Sequence, residues 1–309
     1  MRGATRLPPT MTIHEPKGIS LVVPSYNRTA ALRTNLDSML ATRDIAEIVI
    51  VDDGSTDDTV NACEEFQSER LRVISHSSNE GVATARNTGV EAASGGWVLF
   101  GEDDCRFPSE YATVLRAEAE HHGADIVGAP LIYTGADEAQ LPRIAAAAPR
   151  QERPSTEDVG VFPREAIETP FIPARALVRK AIFDRVSFYE GFPVNGYRKE
   201  TDFFVQAARA GFHCLFTPAT FCYQLQRWRG GQHHSSTLRY ESWTTRNNWR
   251  FLRRHGAWLT EHGYISGTAR AQLGFALMRV RIMLTGASRA RLQRAQAARA
   301  RFSERRAAD

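Results

Sequence analysis

The sequence predicts an α/β fold, a mostly parallel sheet flanked by helices, with a helical extension at the C-terminus. Two observations carry this. Over roughly the first 135 residues, short β-branched apolar runs alternate with longer segments of helical periodicity. Strands spaced by single helices imply a parallel sheet covered on both faces. Beyond "RWRGGQHHSS" the chain reads as helix to its end.

The elements follow in order. "ISLVVPSY" is an apolar strand ended by Pro-Ser. "RTAALRTNLDSMLA" is a helix with Ala30, Leu32, Leu36 and Leu40 on one face. "EIVIVDDGS" is a second strand, and "TDDTVNACEEFQ" a helix with acids in its first turn, as the helix dipole favours. "LRVISHS", "EGVATARNTGVEAAS", "WVLFGEDD", "PSEYATVLRAEAEHHG" and "DIVGAPLIY" continue as strand, helix, strand, helix, strand. Residues 136–173 lose the pattern and read as a long loop or insertion. "ALVRKAIFDRV" and "ETDFFVQAARAG" read as helices, and "HCLFTPATFCYQLQ" as one or two strands broken at Pro218. "LRYESWTTRNNWRFLRRHG" and "TARAQLGFALMRVRIMLTG" form the extension, and residues 1–17 a flexible leader.

The 309 residues, 42% hydrophobic and 24% charged, suit an ordinary soluble globular protein. No apolar run reaches the length of a membrane span, and "MRGATRLPPT" lacks a signal peptide's apolar core. Four cysteines without a CxxC pair suggest a reduced, cytoplasmic protein. Net charge is +4, yet Arg270 to Asp309 holds ten arginines, no lysine and two acids, a balance of +8, so the rest sums to −4. An acidic body without a patterned basic–aromatic surface argues against nucleic acid as a partner.

Ligands of parallel sheets bind beyond the carboxyl ends of the strands. Those ends carry Pro24–Asn27, Asp52–Ser55 and Glu102–Asp104. Adjacent carboxylates repel, and Mg2+ or Mn2+ relieves this while bridging to phosphates; a solvated acidic turn is the alternative. A carboxylate in "DDGS" can accept from a ribose hydroxyl or a base imide, or simply cap the next helix. Arg86, near a helix start, suits a diphosphate or base carbonyl, or a surface ion pair.

Taken together, "SLVVPSYNR", "IVIVDDGSTDDT", "NEGVATARNTGVEAASGGWVLFGEDDCRFP" and "YRKETDFFVQAARAGF" resemble the inverting nucleotide-sugar glycosyltransferases of family 2, over roughly residues 18–225. The resemblance implies the GT-A fold, a Rossmann-like sheet, and a catalytic domain over 18–235. Within it, 18–135 would hold the nucleotide sugar and 136–235 the acceptor, with 236–309 as the extension. It implies donor contacts from Pro24, Ser25, Tyr26, Asn27, Asp53, Gly54, Arg86, Glu102 and Asp103, and a Mn2+ or Mg2+ ion on Asp104 and Glu102. Transfer needs a base for the acceptor proton and stabilisation of the departing diphosphate. The resemblance puts the base on Glu200, with Asp202 as support or rival. The implied partners are a nucleoside-diphosphate sugar and a saccharide, lipid-linked or small-molecule acceptor.

Two departures stand out. Glu102 replaces the first aspartate of the family's Asp-x-Asp, and Gln224 stands where a histidine is expected, with His233 or His234 as substitutes. "QLQRW" offers Trp228 as a stacking face for an acceptor sugar, beside Gln224, or as a packed core residue. A nucleotidyltransferase would want a glycine-rich first loop, which "VPSYNRTAA" is not; a degenerate binding module is suggested by Glu102 and Gln224 but opposed by Asp104, Glu200 and Arg86. In the tail, Leu273, Leu277, Val280 and Leu284 are spaced four, three and four apart beside Arg279 and Arg281. That stripe either packs on the catalytic domain or lies on the inner face of an anionic membrane.

Overall fold

The structure is a computed structural model that describes residues 18–133, 140–152, 161–193, 195–224 and 237–284. It divides into two compact units: Met1–Glu190 with Lys199–His233, and Gly191–Arg198 with His234–Asp309.

In chain order the first unit contains β1 (Ile19–Ser25), α1 (Thr29–Ala41), β2 (Ile45–Asp52), α2 (Thr59–Glu64), β3 (Leu71–Ser75), α3 (Val82–Ala92) and β4 (Trp97–Phe100). There follow β5 (Cys105–Arg106), α4 (Tyr111–His122), β6 (Ile126–Gly128), β7 (Leu131–Tyr133), α5 (Leu141–Ala147), β8 (Arg150–Gln151), β9 (Phe162–Pro163) and β10 (Ile167–Glu168). The unit closes with β11 (Leu177–Arg179), α6 (Lys199–Arg209), β12 (Cys214–Phe216) and β13 (Cys222–Gln224). The main sheet has the order β10-β12-β6-β11-β4-β1-β2-β3, and a small sheet has β5-β13-β7.

The strands of the sheet centre read as unbroken apolar runs because both faces are covered. Leu21 and Val23 of β1, with Ile48 and Ile50 of β2, meet Leu32, Leu36 and Met39 of α1 and Leu115 of α4. Val22, Val49 and Val51 face the other way, toward Ala85 and Val90 of α3 and Phe203 and Ala207 of α6. In α1 the buried line is Ala31, Leu32, Asn35, Leu36 and Met39, so the face is turned from the expected one and Ala30 is exposed.

Three more local expectations are corrected. "ALVRKAIFDRV" is not a helix: Leu177–Arg179 is an antiparallel strand between β4 and β6, followed by a single 3-10 stretch, Lys180–Asp184. A short apolar run cannot be told from a helix by periodicity; here the open edges of β4 and β6 decide. "DIVGAPLIY" breaks at Ala129-Pro130, since proline lacks the amide a central strand needs, and β7 moves to the small sheet. The acids before α2 lie ahead of its first turn, where Asp57 Oδ1 accepts from the Thr59 amide at 3.2 Å.

The second unit contains α7 (Thr237–Glu261) and a further helix, α8, over 268–284. Pairing of Asn248 with Gln272 and of Glu241 with Arg279 sets the two antiparallel. The turn between them brings Gly256 so close to Thr268 that a Cβ at 256 would lie 2.3 Å from the Thr268 hydroxyl. Arg198 lies over the rings of Tyr197, Phe251 and Phe275. Among the described residues, no helix is long and apolar enough to cross a membrane.

Candidate active site

The sheet register sets the site. Ser25, at the end of β1, pairs with Asp52 at the end of β2, and β4 ends alongside Val22. The loops leaving these strands are stitched together. The Asn27 amide donates to Ser55 Oγ at 2.8 Å, and Asn27 Oδ1 accepts from the Thr56 amide at 2.8 Å. Pro24 and Ser25 are buried and Tyr26 half-buried beside them. Gly54 has φ +74°, and a Cβ there would sit 2.5 Å from the Ser78 carbonyl carbon, so this turn admits only glycine.

Asp53 is buried and both its oxygens are taken. Oδ1 accepts from the Glu80 amide at 2.9 Å and Oδ2 from the Gly81 amide at 2.8 Å. His76 Nδ1 lies 3.0 Å from Oδ1, and its Nε2 3.0 Å from Thr88 Oγ1. Asp53 therefore fixes the turn that starts α3, the helix carrying Arg86. Asp53→Asn turns an amide NH2 against one of these N–H groups, and we expect a loss of about 1.5–3 kcal/mol in urea unfolding; an unchanged midpoint would refute this anchoring role.

The acidic triplet after β4 meets arginines. Glu102 Oε2 is held by Arg175 Nη2 and Oε1 lies 3.5 Å from Arg86 Nη2. Asp103 accepts from Ser25 Oγ at 3.0 Å and lies 3.5 Å from Arg28 Nε, while Arg28 Nη2 reaches Asp104 at 3.0 Å. Arg86, fully buried against Phe100 and Phe188, donates to Glu200 Oε1 at the start of α6, and Lys199 Nζ is 3.7 Å from the same oxygen. Four carboxyl groups thus stand among four cations, Arg28, Arg86, Arg175 and Lys199. Burial pushes Asp103 up, with Asp104 and Glu102 adding to it against Arg28 and Ser25, to about 7. Burial, then Glu102, also raises Asp104. Burial would raise Glu200 too, but Lys199 and Arg86 outweigh it and hold the carboxyl at about 2.

The two acids of α6 part company. Glu200 keeps 21% of its side chain exposed and shares Arg86 with Glu102. Asp202 is fully buried and accepts from Gln206 Nε2 at 2.7 Å, one helical turn on. Gln224 is buried, its backbone opposite Cys105, and its Oε1 has no hydrogen-bond partner among the described residues. Donor atoms of Glu102, Asp104 and Cys105 lie within 4.8 Å of one another. Burial drives the Cys105 thiol far up, so the oxygen donors are what a hard dication would meet. Trp228, His233 and His234 lie outside the described residues.

Sequence reasoning missed Arg28, Arg175, Lys199 and His76. Arg175 was hidden because the segment that follows it reads as a helix; as the residue leading into an antiparallel strand it arrives at the ligand edge, where Ala176 O accepts from the Phe100 amide. Arg28 follows directly on "PSYN", and only that position hints at its role.

Residues 20–187 match the family model described as Glycosyl transferase family 2. The chain belongs to this family. One relative is the uncharacterized glycosyltransferase EpsJ of Bacillus subtilis (strain 168), 32% identical over 176 residues, 55% of this chain and 50% of that protein. The chain matches half or less of the length of the first such curated relatives. Two solved structures share the GT-A fold. One is S. aureus TarS 1–349 in complex with UDP-GlcNAc, with TM-score 0.54 and 18% identity over 80% of this chain and 75% of that one. The other is the mannosyltransferase PcManGT from Pyrobaculum calidifontis in complex with GDP-Man and Mn2+, with TM-score 0.57 and 18% identity over 89% of this chain and 80% of that one.

Proposed function

We propose that this family 2 member transfers a glycosyl group from a nucleoside-diphosphate sugar to an acceptor hydroxyl, with inversion and with a divalent cation. One observation carries the reading: Glu200, ionised at neutral pH, stands beside Arg86, whose other arm reaches the acidic triplet at the strand ends. A base and a phosphate-binding edge therefore share one residue. Glu200 takes the acceptor proton, and the arginines on Glu102 and Asp104 suit the two negative charges of a diphosphate. The mannosyltransferase of like fold carries GDP-Man and Mn2+, in keeping with this.

The side chains fit a dication. Glu102 and Asp104 supply hard oxygen donors, and the unpartnered Gln224 Oε1 lies on the strand paired with Cys105. When bound, the ion would neutralise the leaving diphosphate. This chain's own residues do the rest: Asp53 and Gly54 hold the loop leading to Arg86, Ser25 and Arg28 fix Asp103, and Glu200 moves the proton.

A second reading, transfer without a metal, is favoured by the neutralisation of the triplet by Arg28 and Arg175. Nucleoside-diphosphate release from candidate sugar donors, with and without EDTA, separates the two. Loss of release in EDTA and its return with Mn2+ is the expected result. Asp104→Ala should weaken Mn2+-dependent donor binding and lower release by two orders of magnitude or about that; wild-type turnover in the variant would sink the metal assignment. Release of pyrophosphate from a nucleoside triphosphate would point instead to nucleotidyl transfer.

A further inference from the structure

Helix α8 turns polar side chains toward α7 while an apolar stripe faces outward. Arg279 makes a two-pronged pair with Glu241, Nε to Oε2 at 2.6 Å and Nη2 to Oε1 at 2.7 Å. Gln272 accepts from Asn248 at 2.8 Å and donates to the Thr245 carbonyl at 3.2 Å. Phe275, against Tyr197, is buried on the same helix, and Ala271, Ala276 and Met283 are half-buried. On the outer side Leu273 is 62% exposed, Leu277 61% and Val280 46%. Spacings of four and three align them in one stripe, and a surface helix normally turns such a stripe to the core.

Charge selects the occupant. Arg270 and Arg281 lie one turn from Leu273 and Leu277, and the chain from Arg270 to Asp309 carries ten arginines against Glu304 and Asp309. A second copy docking stripe to stripe would bring Arg270 and Arg281 of one copy toward the same arginines of the other. A lipid surface with acidic headgroups has the opposite sign, and it asks for a line of aliphatic side chains rather than a shaped cavity.

We propose that the outer face of α8 rests on an anionic membrane surface, with Leu273, Leu277 and Val280 in the acyl boundary and the neighbouring arginines at the headgroup phosphates. This goes beyond the glycosyl-transfer reading and does not depend on it. The inner polar contacts hold the helix against α7 while its apolar stripe stays available to lipid.

The test is co-sedimentation of the full chain with vesicles of equal parts phosphatidylglycerol and phosphatidylcholine, beside vesicles of phosphatidylcholine alone. Binding to the anionic vesicles, weakened by salt, is expected, with a loss of about tenfold or more in the Leu273→Ser/Leu277→Ser variant at unchanged circular dichroism. The four native cysteines are buried, so Leu277→Cys can be labelled selectively with an environment-sensitive fluorophore; its emission should shift to the blue on anionic vesicles. No binding to them, equal binding of the double variant, an unshifted label, or a dimer in sedimentation velocity that the double variant dissolves would each overturn the proposal.

Discussion

Glu200→Gln should stop sugar transfer while leaving donor binding nearly intact. The amide keeps an oxygen for Arg86 Nη1, so the helix carrying the arginine stays in place, but it cannot accept the acceptor's proton. General-base catalysis contributes on the order of 100- to 10,000-fold, and a kcat loss of that size at unchanged donor Kd is expected. Asp202→Asn is the contrast. Asp202 is fully buried and tied to Gln206, so its loss should lower Tm more than it lowers transfer. Transfer that survives Glu200→Gln and disappears in Asp202→Asn at wild-type Tm would reverse the assignment. Acid titration gives a second readout. With its folded pKa depressed from 4.5 to about 2, Glu200 stabilises the fold fully above the unfolded value, and that contribution fades as pH falls from 4.5 toward 2. Wild type and Glu200→Gln should therefore differ most in stability above that window and converge at its acid end.

Arg86→Met is expected to be the most destabilising single change in the site. Methionine matches the reach of the arginine stem and can still pack on Phe100 and Phe188. What is lost is the charge between Glu200 and Glu102, and removing one partner of a buried ion pair costs about 3–5 kcal/mol. The urea midpoint should fall accordingly and donor binding with it. Arg86→Lys should recover part of the stability, since the charge returns without the fork that spans two carboxylates. A midpoint within error of wild type for Arg86→Met would show that Lys199 and Arg175 alone neutralise the pocket.

The half of the fold built from β1, β2, β3 and β4 with their helices was legible because β1, β4 and most of β2 are buried apolar runs, while β3, at the sheet edge, still carries Leu71, Val73 and Ile74 between turn residues. β11 was not. Three residues long, its identity as a strand comes from the gap between β4 and β6, which no local pattern encodes. The same holds for the site. Glu102, Asp103 and Asp104 announce a cation by their adjacency, and the sequence pointed outward to a metal. Arg28 and Arg175, which meet those carboxylates, lie 76 and 73 residues from their partners, and nothing in the local sequence ties them together. The stripe on α8 was visible as periodicity, but which side it faces depended on where Arg279 and Gln272 found partners.

The late arrival of β11 has a consequence for biosynthesis. A ribosome that has just delivered β6 has made both neighbours of this strand but not the strand itself, so the nascent chain holds the bare edges of β4 and β6 with Val98, Leu99 and Val127 unprotected. Such edges are templates for mispairing with other chains. The gap between β4 and β6 therefore closes only after residue 179 has emerged.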